Sequence, residues 1–280
     1  MGQGRAAACG TAIVIAIGGV LASMAFAGGG RSVESEPFET QGNTISTGSV
    51  KCAKGSTQTG GGFRIEPKDS SDIGTRVIAS RLSGGRGWAV QIDTLGGGKR
   101  DARAIVACQK NAPYLARESV LEVVDGSVFQ FNTVTAECPV GTSVAGGGGF
   151  VTGGHGDMYV LDSRPDGDRR WVVTTFTSDG YVGSHVAEAV CDAKGSHDYV
   201  TASKNTVDGR SAQRGIVLQR KATAKCPGRS VVTGGGFALE NEPNRAIFDN
   251  RPKGDDAWLL RVRTYAPAET YTSYARCLKP

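Results

Sequence analysis

The stretch TGGGF at residues 233–237 places three consecutive glycines where the flanking residues predict a β-strand. Glycine weakens a strand interior, because it has no side chain to pack and loses more backbone freedom than other residues. Comparable stretches, STQTGGGF at 56–63 and TSVAGGGGF at 142–150, occur earlier in the chain. Such a costly feature in three places indicates a structural need. The glycines either let two backbones approach closely or form β-bulges that turn the following phenylalanine inward.

The glycine runs belong to a threefold repeat. Each run follows a cysteine, in KCAKG (51–55), ECPVG (137–141) and KCPGR (225–229), so the units start 86 and 88 residues apart. Three downstream segments align without a gap: ASRLSGGRGW (79–88), DSRPDGDRRW (162–171) and DNRPKGDDAW (249–258). Each unit ends in an alanine-rich strand with a second cysteine. We assign repeat 1 to residues 48–110, repeat 2 to 111–193 and repeat 3 to 194–280.

The cysteines of the repeats predict three disulfides. Six cysteines allow 15 pairings, but copied units imply copied bonds. The predicted pairs are Cys52 with Cys108, Cys138 with Cys191, and Cys226 with Cys277. Each bond would close a loop of 51 to 56 residues and stabilise the fold by about 4 kcal/mol in the chain-entropy model.

The segments that begin at tryptophan predict half-buried strands. In WAVQIDTL (88–95), WVVTTFTS (171–178) and WLLRVRTY (258–265), positions alternating with tryptophan are mostly aliphatic, and the opposite positions are mostly polar and differ between units. This period of two is typical of a strand with one buried face. We therefore expect an all-β, antiparallel fold with a structural core that includes Trp88, Trp171, Trp258, Phe63, Phe150 and Phe237. Two architectures remain open: one pseudo-threefold domain, or three small β-sandwiches in tandem.

The repeated pattern resembles two known groups of proteins. CPxGxxVxGGGF, followed by SRP or NRP, a tryptophan and an alanine-rich strand ending in cysteine, resembles a repeat of secreted actinobacterial proteins, mostly of unassigned function; the resemblance covers about residues 50–277. The stretches GGGFRIE (60–66) and GGGFALE (234–240) are also similar to vitelline membrane outer layer protein I. That resemblance implies a threefold β-prism, which is the single-domain alternative.

The N-terminal residues predict a secreted protein. A basic start (MGQGR), an apolar run from Ala6 to Leu21 and the small-residue site Ala25-Phe26-Ala27 are typical of a signal peptide over residues 1–27. Removal of Arg5 with this segment changes the formal charge from +5 to +4. This mild charge argues against a nucleic-acid-binding protein, and we expect no membrane contact after cleavage. Residues 28–47 have low hydrophobicity and no regular period, so they predict a flexible N-terminal arm.

The sequence offers little catalytic chemistry. The three histidines, His155, His185 and His197, lie in or just after repeat 2. Ser184, His185 and Glu188 could form a hydrolase triad, but adjacent strand residues point to opposite faces and no G-x-S-x-G elbow is present. Once the cysteines are paired, no zinc spacing remains. We therefore expect no metal, no cofactor and no enzyme activity, with a secreted hydrolase as the remote alternative.

We expect the protein to bind other molecules without catalysing a reaction. One segment without acidic residues could bind an anionic partner, a protein face or a cell-wall polymer, through Arg210, Arg214, Arg220, Lys221, Lys225 and Arg229. The organisation is similar to that of adaptor subunits of streptomycete umbrella toxin particles, which implies an extracellular assembly whose protein partner binds the arm and variable loops. The alternative is a lectin-like protein that binds sugars through exposed aromatic residues, with Tyr265, Tyr271 and Tyr274 as candidates.

Overall fold

A computed structural model of the chain describes residues 31–67, 74–95, 98–110, 114–124, 130–152, 158–178, 182–193, 197–205, 218–240, 245–264 and 270–279. The predicted signal peptide lies outside these residues. The regular elements in the described ranges are β-strands. No helix long and apolar enough to cross a membrane occurs among them.

The strands follow one another in a regular order along the chain. In sequence order they are β1 (Arg31–Glu34), β2 (Phe38–Thr40), β3 (Ile45–Lys51), β4 (Ser56–Ile65), β5 (Thr75–Ser83), β6 (Gly87–Thr94), β7 (Arg100–Lys110), β8 (Tyr114–Val124), β9 (Gln130–Glu137), β10 (Ser143–Thr152), β11 (Met158–Asp166), β12 (Arg170–Thr177), β13 (Gly183–Asp192), β14 (His197–Asn205), β15 (Leu218–Lys225), β16 (Val231–Ala238), β17 (Arg245–Pro252), β18 (Ala257–Thr264) and β19 (Thr270–Leu278). All observed pairings are antiparallel.

Three sheets are built from halves of different repeats. Sheet A has the order β1-β7-β4-β17-β18-β15, with β2 also on β7; sheet B has β3-β6-β5-β10-β13-β8; sheet C has β14-β19-β16-β11-β12-β9. Each sheet thus joins the glycine-run strands of one repeat to the tryptophan strands of another. Repeat 1 pairs with repeat 2, repeat 2 with repeat 3, and repeat 3 returns to repeat 1. This exchange makes one pseudo-threefold domain, and the tandem-sandwich alternative is wrong.

The junctions between repeats use equivalent positions. Asn250 of β17 is opposite Phe63 of β4, Ser80 of β5 is opposite Gly149 of β10, and Ser163 of β11 is opposite Phe237 of β16. Each pairing joins a strand before a tryptophan to a glycine-run strand. The glycine run is therefore the part of each repeat that accepts the neighbouring repeat.

The predicted flexible arm is wrong for residues 31–47, which form β1, β2 and the start of β3. β1 pairs with β7 from Arg31 opposite Cys108 to Glu34 opposite Ile105. In the equivalent positions of the other repeats, β8 pairs with β13 and β14 pairs with β19. Phe38 packs against the core, and a Cβ at Gly48 would overlap its ring. Low hydrophobicity misled the prediction, because hydrogen bonds to the edge of β7 fix this segment.

The first glycine of each run lies on the pseudo-threefold axis. A Cβ added to Gly60 would lie 2.9 Å from the Cα of Gly234, one on Gly234 would lie 2.7 Å from the Cα of Gly146, and one on Gly146 would lie 3.1 Å from the Cα of Gly60. Three backbones therefore touch at this point. Any side chain would push the repeats apart.

β-Bulges occur at the same glycine runs. The ladders to the closing strands skip one residue between Gln58 and Gly60, between Val144 and Gly146, and between Val232 and Gly234. Two of the skipped residues donate hydrogen bonds across the axis: Thr59 Oγ1 to the Thr233 carbonyl at 2.6 Å and Thr233 Oγ1 to the Ala145 carbonyl at 2.8 Å. The close approach of backbones is confirmed, and a bulge occurs in each repeat, but the following phenylalanine points inward only for Phe63 and Phe237.

The second glycine of each run makes room for a tryptophan. A Cβ on Gly61, Gly147 or Gly235 would overlap the indole of Trp88, Trp171 or Trp258, respectively. The three indoles are fully buried, as predicted. Each donates its Nε1–H to the residue eight positions earlier: Ser80 at 3.0 Å, Ser163 at 3.0 Å and Asn250 at 2.6 Å. The recurring Ser-Arg or Asn-Arg pair thus supplies the acceptor that a buried indole requires.

The disulfides are those predicted from the repeat. Cys52 is bonded to Cys108, Cys138 to Cys191, and Cys226 to Cys277. Each bond ties the start of a repeat to its closing strand. The pairing indicates that the protein folds in an oxidising environment, such as the outside of the cell.

Phe150 departs from its predicted place in the core. Phe63 and Phe237 are fully buried, but Phe150 is only half-buried and lies under the guanidinium of Arg81, 4.3 Å from its ring centre. Repeat 2 has one extra glycine, so Gly149 takes the place of the buried phenylalanine, opposite Ala187. Because side chains alternate between faces, one inserted residue moves Phe150 to the outer face.

The axial contact predicts a large cost for a single methyl group. A Cβ on Gly146 would overlap the Thr59 carbonyl oxygen, so Gly146→Ala should lower the free energy of unfolding by about 1–3 kcal/mol. Guanidinium titration with the disulfides intact would measure the change. The control is Gly85→Ala, where nothing lies within 4 Å of the added Cβ, with an expected change within about 0.5 kcal/mol. Equal effects of the two variants would contradict the axial packing.

Candidate anion-binding face

The inward-facing residues of the three sheets are similar, whereas the outward-facing residues differ. Inward positions carry the tryptophans and the aliphatic residues next to them, such as Val90, Val173 and Leu260, and these are buried in all three repeats. Outward positions on the same strands carry different residues in each repeat. Recognition chemistry is therefore to be found on the outer faces.

One row of residues crosses the outer face of sheet A. The registers place Lys221 of β15 opposite Arg261 of β18, Arg261 opposite Asp249 of β17, Asp249 opposite Arg64 of β4, and Arg64 opposite Arg103 of β7. We call these five residues the cationic row. It holds four cations and one carboxylate on five neighbouring strands.

The equivalent rows of the other sheets lack this charge. In sheet B the same registers connect Thr47, Gln91, Ala79, Phe150 and Val186. In sheet C they connect Thr133, Thr174, Asp162, Ala238 and Thr272. Neither row contains a cation. The cationic row is therefore a property of one face and not of the repeat.

The row contains two like-charged pairs that oppose the stability of the sheet. Lys221 faces Arg261, and Arg64 faces Arg103, directly across neighbouring strands. Like charges placed directly opposite each other destabilise a sheet. Such departures from local rules are expected at functional sites, where another requirement outweighs stability.

Asp249 organises the middle of the row. Its carboxylate lies 2.7 Å from Arg261 Nε and 2.9 Å from Arg251 Nε. Burial raises the pKa of Asp249, and the positive charges of Arg261, Arg251 and Arg64 oppose that rise. The carboxylate is almost completely buried, so it orients the guanidinium groups without presenting a negative charge to the solvent. The exposed charge of the row is positive, and the half-exposed Glu66, 2.6 Å from Arg64 and 3.9 Å from Arg261, offsets part of it.

A cleft lies at the β7 end of the row. It is lined by Pro37, Arg64, Glu66, Asp101 and Arg103, and has a volume of about 120 Å³. Arg64 Nη2 lies 2.6 Å from Glu66 Oε1, and both side chains are partly exposed. Arg103 Nη1 donates a hydrogen bond of 3.1 Å to the carbonyl of Ser35. The segment between β1 and β2 therefore contributes to one wall of the cleft through Pro37 and holds one of its arginines in place through Ser35.

The basic segment predicted from the sequence contributes only in part. Lys221 joins the cationic row, whereas Lys225 forms an exposed ion pair with Asp256 at 3.4 Å. Arg220 is half-buried, and Arg229 is exposed after the end of β15. Arg210 and Arg214 lie outside the described residues. The segment is therefore not one binding surface, because alternate residues of β15 point to opposite faces of sheet A.

Most of the row was missed by sequence reasoning. Arg64 and Arg103 belong to repeat 1, and Arg261 belongs to repeat 3, so no local segment contains the row. The available signal was the polar alternation of WLLRVRTY, where two arginines occupy outward positions. The pairing of repeat 1 with repeat 3 was needed to extend it.

The candidate hydrolase residues have separate partners. His185 is buried, with its Nδ1 2.6 Å from Thr175 Oγ1, and Glu188 Oε2 accepts a hydrogen bond of 2.7 Å from the Leu82 amide. His155 lies outside the described residues.

The lectin interpretation requires exposed aromatic residues. Tyr271 is buried, so it is not one of them. Tyr274 is half-buried near the guanidinium of Arg164, and Tyr265 lies outside the described residues.

His197 forms a buried network at the axis. Its Nε2 lies 3.0 Å from Asp192 Oδ2, and its Nδ1 lies 3.1 Å from Thr233 Oγ1. Arg276, which is fully buried, donates hydrogen bonds to the carbonyls of His197 at 3.0 Å and Val144 at 2.8 Å. Because the Thr233 hydroxyl donates its proton to the Ala145 carbonyl, these side chains do not form a nucleophilic triad. The network links residues of repeat 3 to Asp192, Ala145 and Val144 of repeat 2, so it joins the two repeats.

The described residues contain no group of three or more His, Cys, Asp or Glu side chains that could hold a metal ion.

Comparison with known proteins gives one distant relative. No protein-family model matches the chain. Shufflon protein B' of Escherichia coli is 28% identical over 96 residues, which span 34% of this chain and 22% of that protein. The chain therefore covers about a fifth of this relative's length. A match of this extent assigns neither a family nor a function.

The buried histidine predicts a dependence of stability on pH. Burial lowers the pKa of His197, against the raising effect of Asp192, so the folded state resists protonation of the ring. Its contribution to stability is present above the ordinary histidine pKa of about 6.5 and decreases as the pH falls from there towards the lowered value. The stability gap between the wild type and His197→Gln should therefore narrow between pH 7.5 and 5.

Denaturant titrations of both proteins at each pH would measure this gap. Asp162 and Asp249, whose pKa values are raised by burial, should increase the stability of both proteins as the pH falls. Because both proteins contain them, the difference between wild type and variant removes their contribution. A gap that widens on acidification would show that His197 is stabilised as the cation.

Proposed function

We propose that this protein is a secreted, non-catalytic adaptor that binds an anionic macromolecule through the outer face of sheet A. The observation that carries the proposal is the cationic row, which only one of three equivalent faces possesses. Arginine presents a planar set of donors that suits carboxylate and phosphate groups. One member of each like-charged pair already has a carboxylate partner, Asp249 for Arg261 and Glu66 for Arg64, so an anionic partner would bind chiefly to Lys221 and Arg103.

The rigidity of the fold supports a binding role. Side chains on a sheet are held more accurately than side chains on loops. Three disulfides and the axial contacts fix the sheets relative to one another. A site assembled from repeats 1 and 3 depends on this rigidity, because its two halves are far apart in the chain.

The binding surface differs from the one that the sequence predicts. Residues 31–47 pair within sheets A and B, so they are not available as a free strand for a partner. Instead they help to form the cleft beside the cationic row. The adaptor role is retained, with the sheet A face in place of the arm.

Reversing charges in the row provides a test that separates binding from folding. The double variant Lys221→Glu/Arg103→Glu converts both like-charged pairs into opposite-charged pairs. The opposite-charged pairs should stabilise the sheet by about 0.2–1 kcal/mol each, and the loss of the Arg103 hydrogen bond to the Ser35 carbonyl should cost about as much. The free energy of unfolding of the double variant should therefore stay within about 1 kcal/mol of the wild type. Affinity for immobilised polygalacturonate, poly-L-glutamate and poly(glycerol phosphate) should fall at least about tenfold, since a hydrogen bond to a charged group contributes roughly 1.5–3 kcal/mol.

The matched control is Lys51→Glu/Arg86→Glu, which makes the same change in net charge at exposed positions of sheet B and its adjoining turn. Its affinity for each polymer should stay within twofold of the wild type. Equal losses for the two variants would mean that the polymers respond to net charge alone, and the proposed face would be rejected.

A further inference from the structure

We propose that the anionic macromolecule is an acidic polysaccharide, with a uronate residue bound in the cleft between Arg64 and Arg103. This inference rests on the proposed function and names its ligand. Three features of the face favour a hydroxyl-rich polyanion over an acidic protein: its lack of apolar anchors, its linear arrangement of charge, and the carboxylates within the cleft.

The face lacks the apolar anchors of a protein interface. Protein interfaces depend on aromatic and aliphatic side chains that fill pockets at their centre. Among the described residues, the large apolar side chains that are clearly exposed are Ile45, Phe131, Val140 and Val182. Ile45 belongs to sheet B, Phe131 to sheet C, and the other two lie between strands. None of them lies on sheet A.

The charge on the face is arranged in a line. The cationic row runs perpendicular to the strands, and its five strands span roughly 19 Å at about 4.8 Å per strand. Lys221 and Arg261 form one cationic end, and Arg64 and Arg103 form the other, with the buried Asp249 between them. The next outward positions on one side are Thr223, Leu259 and Arg251, and Arg251 is bound to the central Asp249. A row with a cationic pair at each end fits a linear polymer lying across the strands.

The cleft contains acceptors as well as donors. Asp101 is exposed, and its carboxylate makes no hydrogen bond or ion pair with another described residue. The Glu66 side chain is also about half exposed. These two carboxylates repel any polyanion. A sugar acid can offset this repulsion, because it can place its carboxylate on the arginines and donate its hydroxyl protons to Asp101 and Glu66, whereas the side chains of an acidic peptide have no hydroxyl protons to donate.

The size of the cleft suits one sugar ring. Its volume is about 120 Å³, whereas one water molecule needs roughly 10–15 Å³ of such space. The guanidinium of Arg103 is held by the Ser35 carbonyl, so its remaining N–H groups are oriented before a ligand arrives. A preorganised arginine loses less freedom on binding a carboxylate than a mobile lysine does.

The variant Asp101→Ala tests this assignment because it has two opposing effects. It removes a negative charge, which should strengthen the binding of any polyanion, and it removes a hydrogen-bond acceptor, which should weaken the binding of a ligand that donates a hydroxyl proton. If Asp101 accepts a sugar hydroxyl, the affinity for polygalacturonate should fall at least fivefold. Affinity for poly-L-glutamate, which has carboxylates but no hydroxyls, should rise. The wild type should also bind polygalacturonate at least tenfold more tightly than poly-L-glutamate of equal charge, measured by biolayer interferometry in the same buffer.

The matched control is Asp255→Ala, an exposed carboxylate in the turn before β18, which should change neither affinity more than twofold. If Asp101→Ala tightens the binding of both polymers, affinity at the site depends on charge alone and the polysaccharide assignment is wrong. The proposed function would survive that result, because it depends on the row variant. Tighter binding of poly-L-glutamate by the wild type would instead identify an acidic protein as the partner and overturn the inference.

Discussion

The contact of three glycine-bearing backbones at the pseudo-threefold axis is the constraint on which the rest of the structure depends. Gly60, Gly146 and Gly234 approach one another at distances that leave no room for a Cβ. This approach allows each glycine-run strand to pair with its own closing strand and with a neighbouring repeat. The stability that glycine costs within a strand is offset by the packing of three buried indoles and by three disulfides.

The same constraint separates structural from variable positions. Tryptophan, its Ser or Asn acceptor and the closing cysteine recur because they hold the repeats together. The outward residues have no such role, so each face can differ. Sheet A carries paired cations, whereas the equivalent positions of sheet B are neutral and those of sheet C include a single carboxylate. A pseudo-symmetric scaffold thus presents three different surfaces.

The exchange of halves between repeats also explains why a face can contain a site that no repeat contains. Lys221, Arg261 and Asp249 come from repeat 3, while Arg64 and Arg103 come from repeat 1. Their arrangement depends on the junction where β17 meets β4. The N-terminal segment then completes the site, because β1 and β2 cover the edge of β7 and the connection between them borders the cleft next to Arg103.

The sequence by itself determined the threefold repeat, the disulfide pairing and the inward direction of Trp88, Trp171 and Trp258, because these follow from local spacing and a period of two. Only the tertiary structure decided which halves share a sheet, that residues 31–47 complete two sheets, and that the extra glycine turns Phe150 outward. It alone also brought Arg64 and Arg103 into line with Arg261 and Lys221. Pairing between strands so distant in the chain depends on register and close packing, which local patterns do not encode.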